Sequence, residues 1–243
     1  MPKVELQRMR IERRSALAGA QGAGGTVVVI DVLRAFTCAA MMFAYGIREL
    51  RLVATVEEAL ALRRSDPAYL AAGEVDGAKV DGFDLGNSPS EIIEKGQSHF
   101  RQRKVVLRSS SGTQGAVAAR QTAKEIIVAA YSTASAVGRY ISRKTADAPA
   151  VTLVGMGFKG MEKSVEDERC GDYIEHLLTN KPYDHTAAIW DCVRDPMIAA
   201  SLRGERPHLP KEDVILALQR DLFDFVMVGQ PAGNSVVVKS VRT

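Results

Sequence analysis

The chain has 243 residues, 46% of them hydrophobic, 25% charged and 6% aromatic, which excludes a disordered, collagen-like or disulfide-scaffold chain. At about 150 residues per domain this length suits one large α/β domain or two small intimate ones, enough to bury roughly 70–75% of the unfolded surface. A net charge of +3, from 32 basic and 29 acidic residues, is too balanced for a nucleic-acid binder, which carries a basic stripe.

Lys3, Arg8, Arg10, Arg13 and Arg14 crowd the N-terminus, but Glu5 and Glu12 interrupt them, so a solvated face or first strand is expected there. Thr26–Asp31 (TVVVID) is a continuous β-branched run, the pattern of a strand buried on both faces. Ala35–Tyr45 follows as an apolar helix in which Met41-Met42-Phe43 reads as core, and Gly46 stops it. Leu50–Ala54 is the next strand, and Thr55 with Glu58 forms a capping box that opens a helix. Tyr69–Ala72 is a short strand running into a Gly- and Asp-rich loop from Gly73 to Asn87. Ser88-Pro89-Ser90-Glu91 is a second capping box, with proline at the first helical position. Strands Lys104–Leu107 and Ile126–Ala129 flank a small-residue helix beginning near Gly112. A helix from about Thr133 to Arg143 leads to strand Val151–Val154. The last third is more helical: Glu166–Leu178, Ala187–Leu202 and Lys211–Leu222 read as helices, with Phe225–Val228 and Val236–Lys239 as strands. Repeated strand–helix units predict a three-layer α/β/α fold with a mainly parallel sheet, in one compact unit over residues 1–243.

Cys38, Cys170 and Cys192 lack the paired short spacing of a structural zinc site, and an odd number suits a reducing cytoplasm. No apolar run reaches the ~18 residues of a membrane span, and neither a secretory h-region nor an acid-free transit peptide opens the chain. A cytoplasmic protein is the expectation, with a homodimer as the default assembly.

In open parallel sheets ligands bind beyond the carboxyl ends of the strands, and four polar clusters fall at such places. Asp31-Val32-Leu33-Arg34 closes the strongest strand; Asp31 either ligates Mg²⁺ or caps the helix, and Arg34 either grips an oxyanion or is solvated. Gly73-Glu74 and Gly82-Phe83-Asp84-Leu85-Gly86-Asn87-Ser88-Pro89 combine hard oxygen ligands with glycines that let backbone approach a ligand. Arg108-Ser109-Ser110-Ser111-Gly112-Thr113 sets hydroxyls and free amides at a helix N-terminus, a phosphate cradle or an ordinary capping loop; no Walker Gly-Lys-Ser/Thr is present. Glu166-Asp167 with Cys170-Gly171-Asp172 follows a glycine-rich stretch and either completes a metal site or favours the helix dipole. His99, His176, His185 and His208 all lie outside these clusters, so histidine-assisted catalysis by Cys170 has little support. Acids for a divalent cation, with arginine, hydroxyls and amides for an oxyanion, point to phosphoryl transfer on a small phosphate ester. A haloacid dehalogenase-type site would need Asp-x-Asp at the first strand, and Val32-Leu33 supplies no second acid.

Together, Asp31-Val32-Leu33-Arg34-Ala35, Gly73-Glu74, the run from Gly82 to Pro89 and Glu166-Asp167-x-x-Cys170 resemble the 2-phosphosulfolactate phosphatases (ComB-type). Order and spacing agree over roughly residues 26–175. The resemblance implies a Mg²⁺-dependent phosphatase with an α/β/α fold that hydrolyses 2-phospho-3-sulfolactate to 3-sulfolactate and phosphate, a coenzyme M biosynthesis-type step. Mg²⁺ ligands are then drawn from Asp31, Glu74, Asp84 and Asp167, with Glu166 behind them. Arg34 and the loop Ser109, Ser110, Ser111, Gly112 and Thr113 neutralise the phosphoryl group, and Asn87 and Ser88 hold the carboxylate or sulfonate. Asp31, Arg34, Glu74 and Asp167 form the catalytic set. Two departures touch the substrate: Ser109-Ser110-Ser111 stands where the family has Thr-Thr-Asn, and Cys170-Gly171-Asp172 where it has Cys-Ala-Gly. A phosphatase of another small phosphorylated carboxylic acid and a non-catalytic anion-binding module are the competing readings.

Overall fold

The computed structural model describes residues 9–144 and 150–243, so Lys3, Glu5 and Arg8 of the basic N-terminal run lie outside the described residues. The β-branched run forms strand β2 (Gly25–Ile30), whose last four residues are buried as a doubly covered strand requires. Strand β1 (Arg10–Ser15) comes from the interrupted basic run and lies parallel to β8 (Ala150–Gly155) at one edge of the sheet. The remaining strands are β3 (Glu49–Leu52), β4 (Tyr69–Val75), β5 (Ala78–Lys79), β6 (Lys104–Arg108), β7 (Ala123–Ala129), β9 (Phe225–Ala232) and β10 (Ser235–Arg242).

All join one sheet in the order β1-β8-β2-β7-β9-β10-β3-β6-β4-β5. The strands β1, β8, β2 and β7 are mutually parallel, as are β3, β6 and β4. The β9–β10 hairpin lies between these blocks, antiparallel to both, so the blocks are formally opposed in direction. Each step across a twisted sheet rotates the strand by about 20–25°, and the steps from β2 to β6 accumulate roughly 100° or more. Asp31, just past β2 in one block, and Glu74, near the end of β4 in the other, line the same cleft.

The helices are α1 (Ala16–Ala20), α2 (Ala35–Ala44), α3 (Val56–Ser65), α4 (Pro89–Lys95), α5 (Gln97–Phe100), α6 (Gly112–Ala119), α7 (Ala134–Arg143), α8 (Val165–Thr179), α9 (His185–Arg194), α10 (Pro196–Leu202) and α11 (Lys211–Ala217). Every residue of α2 from Ala35 to Phe43 is buried, as expected of a helix that is apolar all round. Helix α6 packs against β2 and β7 of one block, β3 of the other and β10 of the hairpin between them, so both central helices fill the space the sheet embraces. Helices α7 and α8 cover the other face of the first block, giving an α/β fold with helices on both sides of a large, mainly parallel sheet. Among the described residues no helix is long and apolar enough to cross a membrane.

Three local expectations are corrected. The helix expected over Ala187–Leu202 is two helices, because Pro196 has no N–H to continue the ladder; Asp195 Oδ1 caps the second by accepting from Met197 N and Ile198 N. The helix begun at Lys211 stops at Ala217 rather than Leu222. At Ser88 only half a capping box forms: its Oγ accepts from Glu91 N, while the Glu91 carboxylate accepts from Gly86 N at 2.7 Å instead.

Candidate active site

Three carboxylates tie together the loops that leave the strands. Asp31, just past β2, accepts from Ala35 N (3.0 Å) at the start of α2 and from Gly112 N (2.7 Å) at the start of α6, so one side chain caps two helices. Only glycine fits at 112, because a Cβ there would lie 2.4 Å from Asp31 Oδ2. Glu74, near the end of β4, accepts from Ser110 N and Gly77 N, each at 2.6 Å. Asp167, in the first turn of α8, accepts from Val32 N (2.8 Å) and Gly157 N (2.7 Å).

These staples line or underpin a cleft of about 290 Å³ whose floor carries Asp31, Glu74 and Glu166, with Arg34 and Asn87 on its wall. Three oxygens of residues lining the cleft are buried without a hydrogen-bond partner: Glu166 Oε2, Asn87 Oδ1 and Ser164 Oγ. Burial, against the pull of the Ala35 and Gly112 N–H groups, raises the Asp31 carboxyl to about 6, with the Glu74 charge adding to the rise. Burial likewise raises Glu166 to about 7, and the charges of Asp31 and Asp195 push the same way. Asp167 is raised well above the ordinary carboxylate range by burial and by Glu166 and Asp31.

Arg34 is itself buried. Its Nη1 donates to Asp213 Oδ2 at 2.7 Å and its Nη2 to Gly77 O at 3.4 Å. Asp213 is fully buried, and its other oxygen accepts from Ser88 Oγ, Ser90 N and Ser90 Oγ, so this acid of α11 fixes both the arginine and the start of α4. At the rim, Lys159 Nζ pairs with Asp76 Oδ1 at 2.6 Å, and the loop between α10 and α11 brings Arg206 and His208 over the opening.

A family model described as 2-phosphosulpholactate phosphatase matches residues 14–231. The chain belongs to that family. By that membership it is a phosphoric monoester hydrolase. It is similar to proteins named "Probable 2-phosphosulfolactate phosphatase" in several bacteria. That of Carboxydothermus hydrogenoformans is 34% identical over 226 residues, covering 89% of this chain and 91% of its own. That of Bacillus subtilis (strain 168) is 28% identical over 215 residues, covering 88% and 91%. That of Deinococcus radiodurans is 41% identical over 128 residues, covering 53% and 52%.

The family motifs converge on the cleft, but not every residue in them faces it. Asp31, Arg34, Glu74 and Asn87 do, as do Ser110, Ser111 and Glu166. Asp84 does not: its carboxylate takes Arg63 Nε (2.7 Å) and Nη2 (2.8 Å) and caps Ala71 N, which places it outside the cation-ligand set expected from the motif. Asp167 accepts from two loop amides and does not line the cleft, whereas its neighbour Glu166 does line it and has its Oε2 buried without a partner. Ser88 faces Asp213.

Four amides of the serine loop are already engaged. Ser110 N and Gly112 N serve Glu74 and Asp31, while Ser109 and Thr113 bond each other through N–H and Oγ in both directions. The Ser111 hydroxyl donates to Gly157 O (2.7 Å) and accepts from Gly160 N (2.9 Å), fastening this loop to the one after β8. Asp172, the acid at the family's glycine position, points away from the cleft into an ion network with Arg13 (2.8 Å) and Arg169 (3.0 Å). Cys170 is fully buried with its thiol raised by burial, an inert core side chain rather than a nucleophile. Asp213 and Arg206 went unread in the sequence: the first looks like any acid in a first helical turn, and the second lies in a loop with no motif. Among the described residues no group of three or more His, Cys, Asp or Glu side chains is arranged to hold a metal unaided.

Proposed function

We propose that the cleft hydrolyses 2-phospho-3-sulfolactate to 3-sulfolactate and phosphate with Mg²⁺ as cofactor, a coenzyme M biosynthesis-type step. The observation that carries the reading is the cleft floor, where the carboxylates of Asp31, Glu74 and Glu166 are all buried and where Glu166 Oε2, Asn87 Oδ1 and Ser164 Oγ are left without a partner. A phosphate ester with two further acidic groups cannot approach such a floor without a cation between them. The donors are all hard oxygens, and Mg²⁺ is commonly held by one or two carboxylates together with substrate phosphate and water, so the residues present fit it. Asp31 and Glu166, with Asn87 Oδ1, would hold the ion. When bound, it supplies positive charge for the phosphoryl oxygens and lowers the pKa of the attacking water.

The protein's own groups then do the rest. Arg34, immobilised by Asp213, offers its remaining N–H donors to a phosphoryl oxygen at no cost in ordering a side chain. Glu74 and Asp167 hold the loops around the floor in one geometry. The apolar walls Leu33, Phe158 and Met197 restrict water on the side away from the charge.

The test is phosphate release from a panel of small phosphorylated acids in Mg²⁺. The proposal expects 2-phospho-3-sulfolactate to have the highest kcat/KM, above 2-phospholactate. A different phosphorylated acid at the head of the panel would move the activity to that substrate, and release from none would favour a binding module.

A further inference from the structure

A second acidic group on the proposed ester is left without a partner, because Arg34 serves the phosphoryl group and Lys159 at the rim is already paired. Arg34 is bound by Asp213 and Lys159 by Asp76. Arg206 is different. Its neighbour Glu205, the nearest acid in sequence, is taken bidentately by Arg203 at 2.6 and 2.8 Å. Among the described residues Arg206 has no carboxylate partner, and it lines both the main cleft and an adjoining lobe of about 250 Å³ that shares Phe158, Glu166 and Met197 with it.

The segment that carries it is held at both ends. Gly204 N and Glu205 N close turns on Ser201 O (2.8 Å) and Ala200 O (3.0 Å) at the end of α10. Leu209 is buried and its carbonyl accepts from the buried Ser201 hydroxyl. Between these anchors Arg206-Pro207-His208 crosses the cleft mouth, with His208 packed near Gly77, whose carbonyl also receives Arg34. Proline fixes the backbone φ between the two side chains, which limits how the segment carrying them can move.

We propose that Arg206, assisted by His208, is the specificity-determining group that binds a second anion, remote from the phosphate on the same substrate. A guanidinium matches the fork of a sulfonate or carboxylate with two parallel N–H donors. The apolar stretch of Leu33, Phe158 and Met197 between floor and rim suits the short carbon link joining the two acidic groups. The pairing selects esters that span floor and rim, and it discriminates against those bearing a methyl where the second acid should be.

This inference rests on the proposed substrate, so its test has two arms. In turnover, the ratio of kcat/KM for 2-phospho-3-sulfolactate to that for 2-phospholactate is compared between wild type and Arg206→Ala. The expected result is a fall in that ratio of about 10- to 100-fold, partly recovered in Arg206→Lys. In binding, calorimetry with Mg²⁺ present measures 3-sulfolactate and lactate, which need no chemistry. Wild type should prefer 3-sulfolactate, and Arg206→Ala should lose at least tenfold of its affinity. If no ester turns over, the functional reading fails while the calorimetry still decides on Arg206. An unchanged ratio, or equal 3-sulfolactate affinity in wild type and variant, overturns the assignment.

Discussion

Glu166 and Asp167 are adjacent acids with different tasks. Successive helical residues point about 100° apart, so the rotation of α8 about its axis decides which one meets the cleft. That rotation is set by packing on β2 and β8 and has no local signature, which is why the sequence shows the pair but not its division of labour. We predict that Glu166→Gln lowers kcat/KM by about 10²–10³-fold. Asp84→Asn should change kcat/KM less than twofold while costing about 1–2 kcal/mol of stability through its lost Arg63 and Ala71 bonds, measured by urea unfolding. The reverse pattern would return Asp84 to the site. Asp213 and Arg206 were illegible for a related reason: each acquires its meaning from a partner or a cavity far away in the chain.

At the scale of elements, buried strands and caps were readable because their causes are local. The β-branched run gives β2, and Thr55 with Glu58 gives a complete capping box. The serine loop shows the limit of that reasoning. Viewed locally it is a helix N-terminus with amides to spare, yet Asp31 and Glu74, from other strands, occupy them. The Gly112 contact makes this testable. Gly112→Ala forces a methyl against Asp31 Oδ2, and we expect a loss of about 1–3 kcal/mol in unfolding free energy together with reduced activity. Wild-type stability and rate in this variant would mean that the Asp31–Gly112 bond is not what closes the floor.

At the scale of the whole molecule, the alternation of strands and helices made the α/β class legible, but not the sheet order. Placing the β9–β10 hairpin between two parallel blocks depends on pairings across most of the chain. The resulting cleft concentrates negative charge, and this has a pH signature. Asp31 and Glu166 titrate at about 6 and about 7 in the folded protein, against roughly 4 in the unfolded chain. The native state therefore binds more protons than the unfolded state between about pH 4 and 7, and stability falls as pH rises through that window. With chelator present, the melting temperature should drop by several degrees between pH 5 and 8, and Mg²⁺ should restore more at pH 8 than at pH 5. A melting temperature independent of pH and Mg²⁺ would contradict the buried-carboxylate floor.

The most direct test of a cation-dependent phosphatase site is the initial rate of phosphate release from 2-phospho-3-sulfolactate in Mg²⁺, then in excess EDTA, then with Mg²⁺ added back. Release should be abolished by the chelator and recovered on readdition. Release that continues undiminished in EDTA would contradict it.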